Sequence, residues 1–285
     1  MTLKTGDSLT AILFGIISAL AWGGGDFTGG LASRHESPIR VATMAEIAGF
    51  FLLIVLIVIF PEPVPPLNIW VISGLANLIG LTGLILLFRA LAEGQMSIAA
   101  PVSALMAAII PVVVSAFTEG LPGWVTFIGF AFAMVSIWLI SKDENASRLQ
   151  RLSDLRLPLL SGVGFGLYFV LIHSATQDYT FWPLIAARTV SIPLLVSYAL
   201  ITRQRILPLR PFRLLASSSG LLDVAGNTFF VLAGQIGRLD IAAVLVSLYP
   251  ASTVILAAIF LKERINRTQV LGVIAALVAI LLMAI

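Results

Sequence analysis

The amino-acid sequence predicts an all-α polytopic membrane protein: ten transmembrane helices arranged as two inverted five-helix repeats. Composition is the first reason. Of 285 residues, 59% are hydrophobic and 11% charged, with a mean hydropathy of +1.05, whereas soluble chains carry about 25% charged residues. Spacing is the second. The apolar residues gather into ten runs, each near the about 20 residues a helix needs to cross a hydrocarbon core. Internal similarity is the third. "IAAPVSAL" at Ile98 returns as "IAAVLVSL" at Ile241, an offset of 143.

The runs follow in order. The first, near 10–30, holds "WGGGDFTGG" (Trp22–Gly30), where five glycines surround Asp26. Gly25 and Gly29 have the GxxxG spacing that lets a second helix approach closely. The same glycines also suit local unwinding beside a ligand. Ala19, Leu20 and Ala21 resemble a signal-peptide cleavage site, but the apolar pattern continues past them. The second run, 39–60, ends at "PEPVPP" (Pro61–Pro66), since proline cannot continue a helix. The third and fourth span 68–91 and 97–117, and "EGLPG" (Glu119–Gly123) separates the fourth from the fifth, 123–140. The polar stretch 141–156 is too short to fold alone. The sixth and seventh runs cover 157–175 and 181–202, and "LPLRP" (Leu207–Pro211) precedes the eighth, 212–235. A single ninth helix over 240–261 and a tenth over 267–285 complete the set.

The repeat extends beyond its best segment. Gly129 pairs with Gly272 and, within one residue, Glu119 with Glu263. "LANLIG" at Leu75 resembles "LLDVAG" at Leu221, setting Asn77 against Asp223. "MAEIAGFFLL" laid on "AARTVSIPLL" sets Glu46 against Arg188. The repeats are expected at 1–145 and 146–285. Five helices is an odd number, so the second repeat enters the membrane the other way up. Fourteen Lys and Arg fall in one set of loops and two, Lys4 and Arg238, in the other. The positive-inside rule then places both termini on the non-cytoplasmic side of an inner or plasma membrane.

Ionisable residues inside the runs are the candidate site, because a charge at mid-bilayer costs about 2.5–3.5 kcal/mol on insertion scales unless it faces water or a partner. Asp26, Glu46, His173, Arg188 and Asp223 qualify. Arg188 needs an anion, and Asp223, Glu46 or a substrate carboxylate could supply it. Asn227 lies one turn from Asp223, on the same face. Asn77, Ser247 and Tyr249 are further polar candidates, with Ser103 weaker. Trp22, Tyr168 and Phe169 fall at matching depths of the first and sixth runs, as cavity lining or as core. Trp70, Trp124 and Trp182 suit an interfacial belt.

The stretch Ser247–Leu282, with Pro250, Glu263 and Gly272, resembles the signature of the EamA-like family of the drug/metabolite transporter superfamily. The first half is less regular: Pro111 stands eight residues before Glu119, where Pro250 stands thirteen before Glu263. The resemblance covers essentially the whole chain. It implies a transporter that exports or exchanges small metabolites, often amino acids or related solutes.

Other classes fit poorly. The chain has no cysteine, so disulfide and thiolate chemistry are excluded. Two histidines, His35 and His173, are too few and too far apart for a metal site, and neither HExxH nor GxSxG occurs, so no enzyme is expected. Basic residues sit in short loops, which is no nucleic-acid footprint. Nothing resembles a nucleotide-hydrolysing loop, so coupling to the solute's own gradient or to protons is expected, with Asp26, Glu46, Asp223 and His173 as carriers. No cofactor is implied. The expected partners are a small-molecule substrate and membrane lipid, with the protein a monomer. A channel or a membrane scaffold is the competing reading.

Overall fold

The computed structural model describes residues 5–92, 96–140, 156–260 and 267–284, and among them every regular element is an α-helix. α1 (Thr5–Ser33) runs unbroken through the glycine-rich stretch, so those glycines serve packing rather than unwinding. α2 (Pro38–Ile59) starts with proline in its first turn, where the missing N–H is no loss. α3 (Leu67–Ala92) follows the proline-rich connection, and α4 (Met96–Thr118) ends where Gly120 adopts a φ of 83°. That left-handed conformation favours glycine. α5 (Trp124–Ile140), α6 (Arg156–Ala175), α7 (Trp182–Ile201) and α8 (Arg210–Ile236) match the fifth to eighth runs. α11 (Arg267–Ala284) matches the tenth. Glu263 lies outside the described residues.

The ninth run is not one helix. It divides into α9 (Leu239–Val246) and α10 (Tyr249–Phe260). Pro250 has no N–H to give the Val246 carbonyl, so the ladder fails there. Tighter bonds bridge the gap, Leu248 N–H to Leu245 O at 3.1 Å and Ala251 N–H to Leu248 O at 2.9 Å. The break presents Tyr249 at the head of a new helix.

Six helices are long and apolar enough to cross a membrane: α1, α2, α3, α6, α7 and α8. Four shorter apolar helical stretches accompany them, Val102–Thr118, Trp124–Leu139, Leu239–Thr253, which spans the break between α9 and α10, and Val270–Met283. Of the ten full-length spans expected from the sequence, six are long and apolar enough to cross among the described residues, and the other four runs hold only shorter apolar helices. The outer surface is apolar, with Phe117 88% and Leu121 81% exposed. Such a surface suits lipid, in which the backbone groups must be satisfied within the helices.

The main helix pairings recur when the halves are exchanged. α1 lies along α8 as α6 lies along α3, and α2 meets α8 as α7 meets α3. α4 packs on α6 as α9 and α10 pack on α1, while α5 packs on α11.

Two glutamates tie the halves together at opposite ends of α2, about 33 Å apart for 22 residues. Glu62 accepts the backbone N–H of Thr180 at 2.9 Å, of Phe181 at 3.0 Å and of Trp182 at 3.4 Å. It thereby caps the positive end of α7. Trp182 Nε1 also donates to the Glu62 carbonyl at 3.0 Å. At the other end Glu36 accepts the Leu209 N–H at 2.8 Å, just before α8, and pairs with Arg40 at 3.1 Å.

Burial disfavours the charged form of Glu36, but the Leu209 N–H, Arg40 and Arg205 outweigh it and hold the carboxyl below its ordinary 4.5. A depressed carboxyl stabilises the fold fully above the ordinary value and loses that contribution as pH falls through the folded one. Glu36→Gln should therefore melt below the wild type at neutral pH, and the gap should shrink as pH falls under 4.5. Thermal unfolding in detergent across pH 7 to 3 reads this; a gap independent of pH contradicts it.

Candidate functional site

The site is assembled from one or two turns of several helices. Trp22 and Asp26 stand four residues apart on α1 and so share a face. α2 brings Glu46, α3 brings Asn77, α6 brings Tyr168, and α7 brings Arg188. Asp223 and Asn227 repeat the four-residue spacing on α8, and Tyr249 opens α10. All of these line one cavity enclosing about 740 Å³ of atom-free space, its mouth included. The volume inside it open to a water-sized body is about 80 Å³, below the about 300–1,000 Å³ common for ligand pockets. Leu53, Leu81, Leu84, Phe165, Phe169 and Leu184 supply most of the apolar wall.

Arg188 is the hub. One terminal nitrogen donates to Glu46 and the other to Asp223. Arg188 is 6% exposed and Glu46 4%. Charges this dry persist only with close partners and further hydrogen bonds. Glu46 has them: Arg188 takes its Oε1, and Ser191 Oγ and, at 3.5 Å, Asn77 Nδ2 both donate to its Oε2. Asn77 Nδ2 also donates to the Ala187 carbonyl at 3.0 Å. Asp223 accepts from Trp22 Nε1 at 3.1 Å. Asn227 Nδ2 donates to the Asp223 carbonyl at 2.8 Å, and Tyr168 donates its hydroxyl to Asn227 Oδ1.

The connectivity follows the repeat. Glu46 and Arg188, equivalent by sequence, touch each other. Their neighbours Asn77 and Asp223 are also equivalent, and each binds the residue from its own half. The aromatics obey the same rule. A Cβ on Gly226 would lie 2.6 Å from Trp22 Nε1, and one on Gly80 would lie 2.9 Å from Tyr168 Cδ2. Each half thus leaves a bare glycine where the other half lays its ring. Trp22 also stacks on Phe169 with centroids 5.4 Å apart.

Two expected site residues lie elsewhere. His173 is near the end of α6 beside Gln177, its ring nitrogen 3.0 Å from Gln177 Nε2, and does not line the cavity. Its place as a helix-terminal residue follows from α6 ending two residues later. Ser247 lies at the break between α9 and α10, fully buried, its hydroxyl without a hydrogen-bond partner among the described residues. The broken helix turns it away from the cavity that Tyr249 reaches. Conversely, sequence reasoning missed Ser191, which lies three residues from Arg188 and so on its face, a signal that was there to read. It also missed Glu36 and Glu62, whose partners are backbone N–H groups that carry no residue-type signal. No group of three or more His, Cys, Asp or Glu suited to a metal ion occurs among the described residues.

A family model described as the EamA-like transporter family matches the sequence twice, at residues 9–142 and 155–285. The chain belongs to the EamA-like transporter family. It is therefore a member of a family of membrane transporters, with the family's domain present twice. Twenty-seven chains of solved structure match as well. One, described only as a protein crystal structure, superposes with a TM-score of 0.76 over 95% of each chain at 15% sequence identity. At that identity the likeness establishes a shared fold alone. Among curated proteins no match is found.

Proposed function

We propose that this EamA-like chain is a secondary transporter that moves a small metabolite by alternating access through the central cavity. The observation that carries this reading is that seven helices from both halves close around one cavity lined by a paired charge network. Exchange-symmetric packing supports two repeats, 1–145 and 146–285, inverted with respect to each other, because five spans per repeat reverse direction. Glu36 and Glu62 join the halves at opposite ends and suit the role of alternating latches. Releasing one while holding the other would open the cavity to one side at a time. We read the solute as an amino acid or related compound leaving the cytoplasm, with protons as a candidate coupling ion and the monomer as the working unit. Both termini would then face away from the cytoplasm of a cell inner or plasma membrane.

Counterflow in proteoliposomes loaded with a panel of metabolites tests the proposal. Saturable exchange, inhibited by excess unlabelled solute, is the expected result. Flux that rises without saturation would instead mean a channel, and a purified, folded protein inert across the panel would favour a scaffold.

A further inference from the structure

The hydrogen-bonding inventory of the cavity narrows the solute, and this step rests on the carrier reading above. Consider the donors that line the wall. Trp22 Nε1 faces Asp223, Asn77 Nδ2 faces the Ala187 carbonyl, Tyr168 OH faces Asn227, and Asn227 Nδ2 faces the Asp223 carbonyl. Both terminal nitrogens of Arg188 are held by carboxylates. These donors thus already have acceptors of their own. The acceptors are in surplus. Three carboxylates line the cavity, Asp26, Glu46 and Asp223, against one guanidinium. Asp26 has no hydrogen bond or ion pair with any described residue. No donor of the wall reaches its oxygens, which leaves them to accept from a ligand that donates.

The cavity that holds Asp26 is lined in part by aromatic rings. Trp22 stands one turn before it, Phe169 stacks on Trp22, and Phe165, Tyr168 and Tyr249 complete the lining. Aromatic faces attract cations as well as apolar bodies. An anion would fare badly: to reach Arg188 it would have to displace Glu46 or Asp223 and then sit beside the carboxylate it had freed.

We infer that the transported solute is an organic cation, an amine with an apolar or aromatic body, whose ammonium group binds Asp26 while the body lies against Trp22, Phe165 and Phe169. Glu46, Arg188 and Asp223 form the structural side of the cavity, and Asp26 is its recognition side. A zwitterionic amino acid shares the ammonium group but adds a carboxylate that the wall does not accommodate. Within the amino acids and related compounds of the reading above, the amine is therefore the favoured form.

Three probes with a phenyl ring and a two-carbon arm separate these classes: 2-phenylethylamine, a cation; phenylalanine, a zwitterion; and 3-phenylpropionate, an anion. Binding to the purified full-length protein is measured by titration calorimetry. The amine should bind at least about tenfold more tightly than the anion, a ratio set by a single charge-assisted hydrogen bond. Asp26→Asn keeps the side-chain shape and removes a charge from an apolar wall, and its melting temperature checks folding directly. It should weaken amine binding at least about tenfold. No binding of the amine, an anion bound as tightly, or an Asp26→Asn protein that binds the amine like wild type would each overturn the assignment. Counterflow of the same probes tests the carrier reading separately. Amine binding at Asp26 without counterflow removes the carrier and leaves the cation site. Saturable counterflow of the anion alone does the reverse.

Discussion

Arg188→Ala should lose transport and melt well below the wild type. Glu46 and Asp223 both depend on the guanidinium, one through each terminal nitrogen. Removing one partner of a buried pair costs about 3–5 kcal/mol, because the remaining charge stays dry and unpaired. Here the buried Glu46 keeps only the Ser191 hydroxyl and the distant Asn77 amide, while Asp223, its side chain 30% exposed, keeps Trp22 Nε1. Thermal unfolding in detergent and counterflow in liposomes read the two effects. The combination Arg188→Met with Glu46→Gln and Asp223→Asn separates them. It leaves no stranded charge, so most of the stability should return. Transport should not return, because the wall has lost the polar lattice that positions α2, α7 and α8. Wild-type melting and transport in Arg188→Ala would show that the network does not hold the site.

Gly220→Ala should be nearly as damaging, although it adds a single methyl group. A Cβ at Gly220 would overlap the Ala45 carbonyl oxygen and lie 2.6 Å from the Ala45 Cα. These are backbone atoms, so no side chain can swing aside. α8 must retreat from α2 by more than a bond length, and overpacking of this kind costs about 1–3 kcal/mol or more. The retreat reaches the site, since Ala45 adjoins Glu46 and Gly220 stands three residues before Asp223 on α8. Reduced melting temperature together with reduced transport is expected. Gly123→Ala is the control. Its Cβ would meet only Thr126 Oγ1, at 3.9 Å, so stability should change by no more than about 0.5 kcal/mol. Equal behaviour of the two variants would mean that α2 and α8 are not in close contact.

Much of the site was legible because membrane burial makes polar residues conspicuous. Asp26, Glu46, Arg188 and Asp223 are the ionisable residues well inside apolar runs, and the price of a lone charge in lipid is what marks them. All four line the cavity. Asn77 was found through its alignment with Asp223, and the two occupy equivalent places in the network. His173 was misassigned for the converse reason. A histidine near a helix end meets a polar boundary in any case, so its presence in an apolar run says little about a cavity. Pro250 was read as part of a family signature rather than as a helix break. A proline deep in an apolar run permits a kink or a full interruption, and only the packing of α9 and α10 against α1 and α4 selects between them.

The one-dimensional record determined what must be hidden from lipid: the apolar runs, the recurring segments and the few ionisable groups that cannot face acyl chains. Those follow from transfer free energies, which act residue by residue. Pairing does not act that way. That Arg188 serves two carboxylates at once, that Asp26 keeps none of the wall's donors, and that Glu36 and Glu62 bind backbone N–H groups of the other half were decided by the tertiary structure alone. Hydrogen bonds and ion pairs depend on distance and direction between helices far apart in sequence, and no local pattern encodes those.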